Sequence, residues 1–237
     1  METTTTAQNI EHAGAATTGV QQAGGASVFT NIKLIGGIAV ALVVLIGGYV
    51  WYDAMQEAKN DEANVALGRV REAFVNGDFD KALTGEGLPR IDGATPPGLQ
   101  EIADTYGSTP AGKTASLMVG SVLVNRGKTA EARQYFEAAS TSKSLEVRSA
   151  ALAGLAACAE HDGNFAEAAA KYEEAAQVSD NTGLEDRHWL HAGLTYEKAG
   201  NKEKAVAAYT IVVKKYGQSD AASQANLGLA RLGTAID

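Results

Sequence analysis

Residues 189–209 read WLHAGLTYEKAGNKEKAVAAY. Trp189, Ala192, Gly193 and Tyr196 recur at helical spacing, Gly200 interrupts, and Ala205 and Tyr209 mark a second helical face. The same grammar occurs twice upstream without gaps. Leu152, Leu155, Ala156 and Ala159 precede Gly163, Ala168 and Tyr172; Ser116, Val119, Gly120 and Leu123 precede Gly127, Ala132 and Phe136. The three breaking glycines are 36 and 37 residues apart. Each residue type has a task. Small residues at Gly120, Ala156 and Gly193, met by Ala132, Ala168 and Ala205, let the two helices of a hairpin lie close. Phe136, Tyr172 and Tyr209 fill the space between neighbouring hairpins. One hairpin cannot cover its own apolar face, so three in file plus a terminal helix make one core.

The pattern resembles the tetratricopeptide repeat, W-x2-L-G-x2-Y…A-x3-F, whose period is about 34 residues. The resemblance implies an all-α, tetratricopeptide-type helical-hairpin solenoid, with repeats near 113–146, 149–182 and 186–219 inside a domain 111–237. A longer echo supports it. Tyr106-Gly107-Ser108-Thr109-Pro110 recurs as Tyr216-Gly217-Gln218-Ser219-Asp220. Both read as a helix ending at Tyr-Gly, with Thr or Ser capping the next. The second copy opens a terminal capping helix, 220–233.

Residues 53–110 read as a helical linker and a first irregular hairpin, broken at Gly77 and by the loop Thr84–Pro97 (TGEGLPRIDGATPP). Before them, Leu34–Tyr52 (LIGGIAVALVVLIGGYVWY) holds 19 residues without a charge, between Lys33 and Asp53. At a rise of about 1.5 Å per residue such a helix just crosses a hydrocarbon layer of ~30 Å. Tyr49, Trp51 and Tyr52 cluster at its exit, where amphipathic rings prefer the headgroup level. A cleaved signal peptide fits less well, because the lead is long and not basic and no A-x-A-like site follows. A single transmembrane anchor is therefore expected over 34–52. The flanking cations, Lys33 against Lys59, Arg69 and Arg71, leave its orientation open. Gly37-x3-Ala41 is a small-xxx-small pair that would admit another helix. Residues 1–33, rich in Thr, Ala and Gly, read as a disordered tail.

Composition argues against chemistry. Lys+Arg number 20 against 28 Asp+Glu, a net charge of −8 with no basic block, which disfavours nucleic acid. The one cysteine, Cys158, excludes an intramolecular disulfide and a cysteine metal cage, and reads as a small buried residue inside a repeat helix. Gly107–Thr114 (GSTPAGKT) fits the phosphate-binding pattern G-x4-G-K-[ST], with Lys113 and Thr114 in the phosphate and magnesium roles. That loop needs a buried strand before it, whereas Leu99–Tyr106 (LQEIADTY) has helical period. Coincidence is expected, with a nucleotide-binding enzyme as the alternative. His188 and His191 could share a helix face as zinc pairs do, but no third ligand is evident and Arg187 suggests a solvated surface. Glu173-Glu174 and Glu185-Asp186 are adjacent, so neither pair converges on a helix; they read as solvated charge. No catalytic residue, cofactor, metal or small-molecule substrate is expected.

The layout of tail, span, Asn64–Leu83 (NVALGRVREAFVNGDFDKAL) and Tyr-Gly-x-Ser hairpins is similar to that of the YfgM family. The resemblance implies a single-pass inner-membrane protein with a periplasmic tetratricopeptide domain, ancillary to the SecYEG translocon and associated with the chaperone PpiD. Its partners would be SecYEG-like translocon subunits, a PpiD-like chaperone and client polypeptides. A scaffold for another envelope complex is the alternative of the same class. The repeat resemblance places the first helix of each hairpin on an inner, concave side. The candidate protein-binding groove is then Leu117, Ser121 and Val124; Ala153, Ala157 and Glu160; Leu190, Leu194 and Glu197. It reads as shallow, largely apolar and rimmed with carboxylates, suited to a few apolar anchors of a helical or extended segment.

Overall fold

The computed structural model describes residues 25–90, 93–179 and 182–234, with side chains from Leu34 onward. Most of the expected tail, residues 1–24, therefore lies outside the described residues. These contain ten helices and no strand. The chain forms two units, Met1–Trp51 and Tyr52–Asp237. Helix α1 (Gly25–Val75) supplies the described part of the first, and every side chain from Leu34 to Trp51 is exposed. Its best window has mean hydropathy 2.3, so one helix is long and apolar enough to cross a membrane.

The second unit is a file of hairpins. The rest of α1 is followed by α2 (Phe79–Thr84) and α3 (Leu99–Thr105). Then α4 (Pro110–Asn125) pairs with α5 (Thr129–Ser140), α6 (Leu145–His161) with α7 (Phe165–Val178), and α8 (Glu185–Lys198) with α9 (Lys202–Lys215); α10 (Asp220–Arg231) closes the file. One backbone motif turns each first helix. Gly77, Gly127, Gly163, Gly200 and Gly233 have φ of 80°, 73°, 77°, 75° and 69°. The residue after each donates its N–H five residues back, as Lys128 does to Leu123 (2.9 Å) and Asn201 to Tyr196 (2.9 Å). This left-handed cap satisfies the last carbonyls of the helix, and glycine alone adopts it without a Cβ penalty.

The irregular first hairpin has a simple origin. α2 and α3 occupy the place that α9 fills alone: Ala82 and Leu83, then Leu99 and Ile102, are buried as are Ala205, Tyr209 and Val212. Between them the chain leaves at Gly85 and returns at Gly98. A Cβ on Gly85 would lie 2.0 Å from the Pro96 oxygen, and one on Gly98 would lie 2.2 Å from the Leu83 oxygen. Two glycines pressed against backbone thus hold the ends of an inserted loop together, so a second helix is split without losing its buried face.

Core packing runs through α6, where Ala153 touches an N-terminal and a C-terminal cluster. Phe136, 3% exposed, is a wedge whose ring lies against Gly120 of its own hairpin and Gly154 of the next. An added Cβ would meet that ring at 2.7 and 2.5 Å. Tyr209 is wedged likewise between Gly193 and Gly228. The start of the file is closed by charge. Where α4 buries Ala111, Val119 and Val122, the matching positions of α1 are the exposed Asp61, Arg69 and Glu72, a polar outer face of the kind terminal repeats need.

Candidate functional site

Among the first helices α4 packs on α6 and α8 on α10, while Lys198 and Thr195 of α8 reach Glu160 of α6 through their side chains. The nine predicted groove residues lie in three columns along α4, α6 and α8, and eight are half-buried. Leu190 is not. It is 5% exposed within the C-terminal core cluster and offers no surface. Leu117, Val124 and Ala153 pack against the N-terminal cluster and Leu194 against the C-terminal one, each with part of its surface open. Ser121 donates its hydroxyl to the Leu117 carbonyl (2.9 Å), which removes its polarity from the face.

The two carboxylates are not a free acidic rim. Glu160 accepts from the Tyr172 hydroxyl (3.0 Å), from Lys198 Nζ (2.9 Å) and from Thr195 (3.4 Å). Glu197 accepts from the Tyr209 hydroxyl (2.9 Å) and, with both oxygens, from Arg231 Nε (2.7 Å) and Nη2 (2.8 Å). Each clasp joins a wedge tyrosine and a glutamate of one hairpin to a cation of the next first helix. The Arg231 hydrogen bonds hold the Glu197 carboxyl below its ordinary range. Burial, then the adjacent glutamate, pushes the Tyr172 and Tyr209 hydroxyls up, so both remain donors. In the α4/α5 hairpin the corresponding pair is Val124 and Phe136, which supply neither carboxylate nor hydroxyl. The signal was legible as a covarying pair twelve apart: Val124/Phe136, Glu160/Tyr172, Glu197/Tyr209. A further acid, Glu173, accepts from Tyr196 (2.5 Å), whose oxygen in turn accepts from Lys204 (3.2 Å).

The phosphate-loop pattern folds as a helix cap. Helix α3 precedes it, and Thr109 N-caps α4. Ala111 N–H donates to Asn60 (3.0 Å), Gly112 N–H to the Thr109 hydroxyl (3.1 Å) and Lys113 N–H to the Thr109 carbonyl (3.0 Å). Three of the N–H groups that would cradle phosphate are therefore already paired. A Cβ on Gly112 would sit 1.8 Å from the Tyr106 oxygen, so that glycine answers a packing demand.

The histidine pair also resolves differently from the solvated surface expected. His188 is 8% exposed with its Nε2 unpartnered, and burial pushes its pKa down to about 4. Aligned positions Ala115, Ala151 and Ala221 carry only a methyl group. His191 is exposed and stacks on Tyr172 with ring centroids 5.2 Å apart. Among the described residues no group of three His, Cys, Asp or Glu converges on a metal position. Glu185, read as solvated, is 9% exposed, whereas Glu174 pairs with Lys171 (2.8 Å) at the surface. Cys158 is buried, and burial raises its thiol pKa.

The sequence profile of the Tetratricopeptide repeat-like domain family matches residues 29–234, so the chain belongs to that family. Two of the solved structures to which the chain is similar are of the nearly identical TPR-like repeats of a Podospora anserina protein described as a kinesin light chain. The parent structure has 16% identity and a TM-score of 0.53, and covers 73% of this chain and 86% of its own. A point variant of it has 16% identity and a TM-score of 0.53, covering 73% and 85%. At that identity the likeness shows the fold. No curated protein matches the chain.

Proposed function

We propose that this tetratricopeptide repeat-like protein is a membrane-anchored protein-interaction module, held by Leu34–Tyr52, that binds polypeptide along the exposed parts of α4, α6 and α8. The observation that carries the reading is the state of the groove carboxylates. With Glu160 bound to Tyr172 and Lys198, and Glu197 bound to Tyr209 and Arg231, the face presents apolar steps between neutralised charges. Such a surface favours apolar anchors of a helical or extended chain over a charged ligand.

The sequence resemblance to the YfgM family supplies the finer proposal: an ancillary partner of an export channel and its periplasmic chaperone, with the repeats on the outer side of an inner membrane. Tethering would raise the local concentration of a weak binding face near emerging clients without new contacts. Site-specific photocrosslinkers at Leu117, Ala157 and Leu194 in living cells test this. Crosslinks to translocon subunits, a membrane chaperone or exported chains are the expected result. Crosslinks confined to an unrelated envelope complex would favour the scaffold alternative, and protease protection of the repeats in spheroplasts would place them on the cytoplasmic side.

A further inference from the structure

A cleft of about 580 Å³ opens where the repeat unit begins. One wall is the first turns of that unit in α1: Tyr52, Asp53, Gln56 and Glu57. The other is formed by α4 and the loop before α6, which contribute Lys113 and Lys143. The walls are tied together, Gln56 donating to the Tyr52 hydroxyl (2.7 Å) and accepting from Ser108 (3.1 Å). Asn60 accepts from Ala111 N–H (3.0 Å) below them. Neither Lys113 nor Lys143 has an ion-pair partner among the described residues, and neither do Asp53 and Glu57. Two cations and two anions thus border one cleft without neutralising each other.

We propose that this cleft binds the zwitterionic headgroup of an aminophospholipid, phosphate toward Lys113 and Lys143 and primary ammonium toward Asp53 and Glu57. The inference rests on the reading of Leu34–Tyr52 as a membrane span. Tyr52, which lines the cleft, is also the last residue of that run and closes its aromatic cluster, and such rings prefer the headgroup level. A bare anion would face the two carboxylates, and a bare cation the two lysines. A headgroup carrying both signs meets each with its complement. A primary ammonium also offers N–H donors to carboxylates that a quaternary ammonium lacks.

The full chain in nanodiscs of equal phosphatidylethanolamine, phosphatidylcholine and phosphatidylglycerol, analysed by native mass spectrometry, tests the site. Phosphatidylethanolamine should be retained over the other two by about tenfold, the ratio that follows from ~1.4 kcal/mol. The exposed double variant Asp53→Asn/Glu57→Gln should bring it level with phosphatidylcholine. Lys113→Gln/Lys143→Gln should lower retention of both, circular dichroism verifying helicity in each variant. Preferred retention of phosphatidylglycerol, or an ethanolamine preference that survives the acid variant, overturns the proposal. Free phosphoethanolamine that binds the detergent-solubilised chain and displaces the lipid overturns the lipid assignment in favour of a soluble ligand. Failure of the chain to float with vesicles sinks the anchoring premise, whereas flotation without lipid preference sinks the headgroup site alone.

Discussion

The α4/α5 and α8/α9 hairpins are built around the same wedge and differ at its tip. Phe136 fills the gap between Gly120 and Gly154, and its partner position is Val124. Tyr209 fills the gap between Gly193 and Gly228, and its hydroxyl reaches Glu197, which Arg231 of α10 then grips with two nitrogens. At the wedge itself the first junction is filled by shape and the second by shape plus a charged clasp; away from the wedge, Arg133 of α5 pairs with Asp162 at the end of α6 (2.8 Å). The contrast separates two jobs of one residue position: filling volume holds neighbouring hairpins together, and a terminal oxygen decides what the open face looks like to a partner.

The largest effect should come from removing volume. Phe136→Ala is expected to lose about 3–5 kcal/mol in urea denaturation, because two glycines cannot refill the cavity. A loss below ~1 kcal/mol would show that the ring is not a wedge. Acid distinguishes the two halves next. His188 is neutral in the fold down to about pH 4, while the unfolded side chain takes a proton near pH 6.5. Above pH 6.5 the group is silent. Between pH 6.5 and 4 the unfolded state binds the extra proton, so stability falls as pH falls, by an amount on the order of 2–3 kcal/mol. Hydrogen exchange should show α8 loosening before α4, and His188→Ala, the residue of the aligned positions, should flatten the slope.

Gly228→Ala forces a Cβ to 2.5 Å from the Tyr209 ring and should cost about 1–3 kcal/mol. The same change at Gly127 would strain only the backbone, since nothing lies within 4 Å. Tyr209→Phe keeps the wedge and removes one hydrogen bond to a charged group, for a loss of about 1 kcal/mol in thermal unfolding. The smallest effect is the most pointed. Adding a clasp through Val124→Glu with Phe136→Tyr should show favourable coupling of about 0.5–1 kcal/mol over the single changes in a double-mutant cycle. Zero coupling would mean that the tyrosine–glutamate pairs are bystanders.

The hairpins were legible because their code is local: a glycine that must turn left-handed, small residues where helices touch, an aromatic at a fixed offset. The split helix was hidden because Thr84–Pro97 interrupts its periodicity, and only tertiary proximity of Gly85 and Gly98 restores the continuity of Ala82–Leu83 with Leu99–Ile102. His188 and Glu185 were misread as solvated because five of the eight residues in EDRHWLHA are charged or histidine. Their burial depends on neighbouring helices that the local pattern does not contain. Leu190 is the converse, an apolar residue in the right column that packing withdraws from the face.

From its residues alone this chain determines an uncharged helical run followed by stacked helix pairs, because periodicity and turn chemistry act over a few residues at a time. Which carboxylates remain free, which histidine loses its water and where one inserted loop closes were decided only by packing. Those outcomes depend on side chains from hairpins far apart in sequence arriving within hydrogen-bond distance of one another.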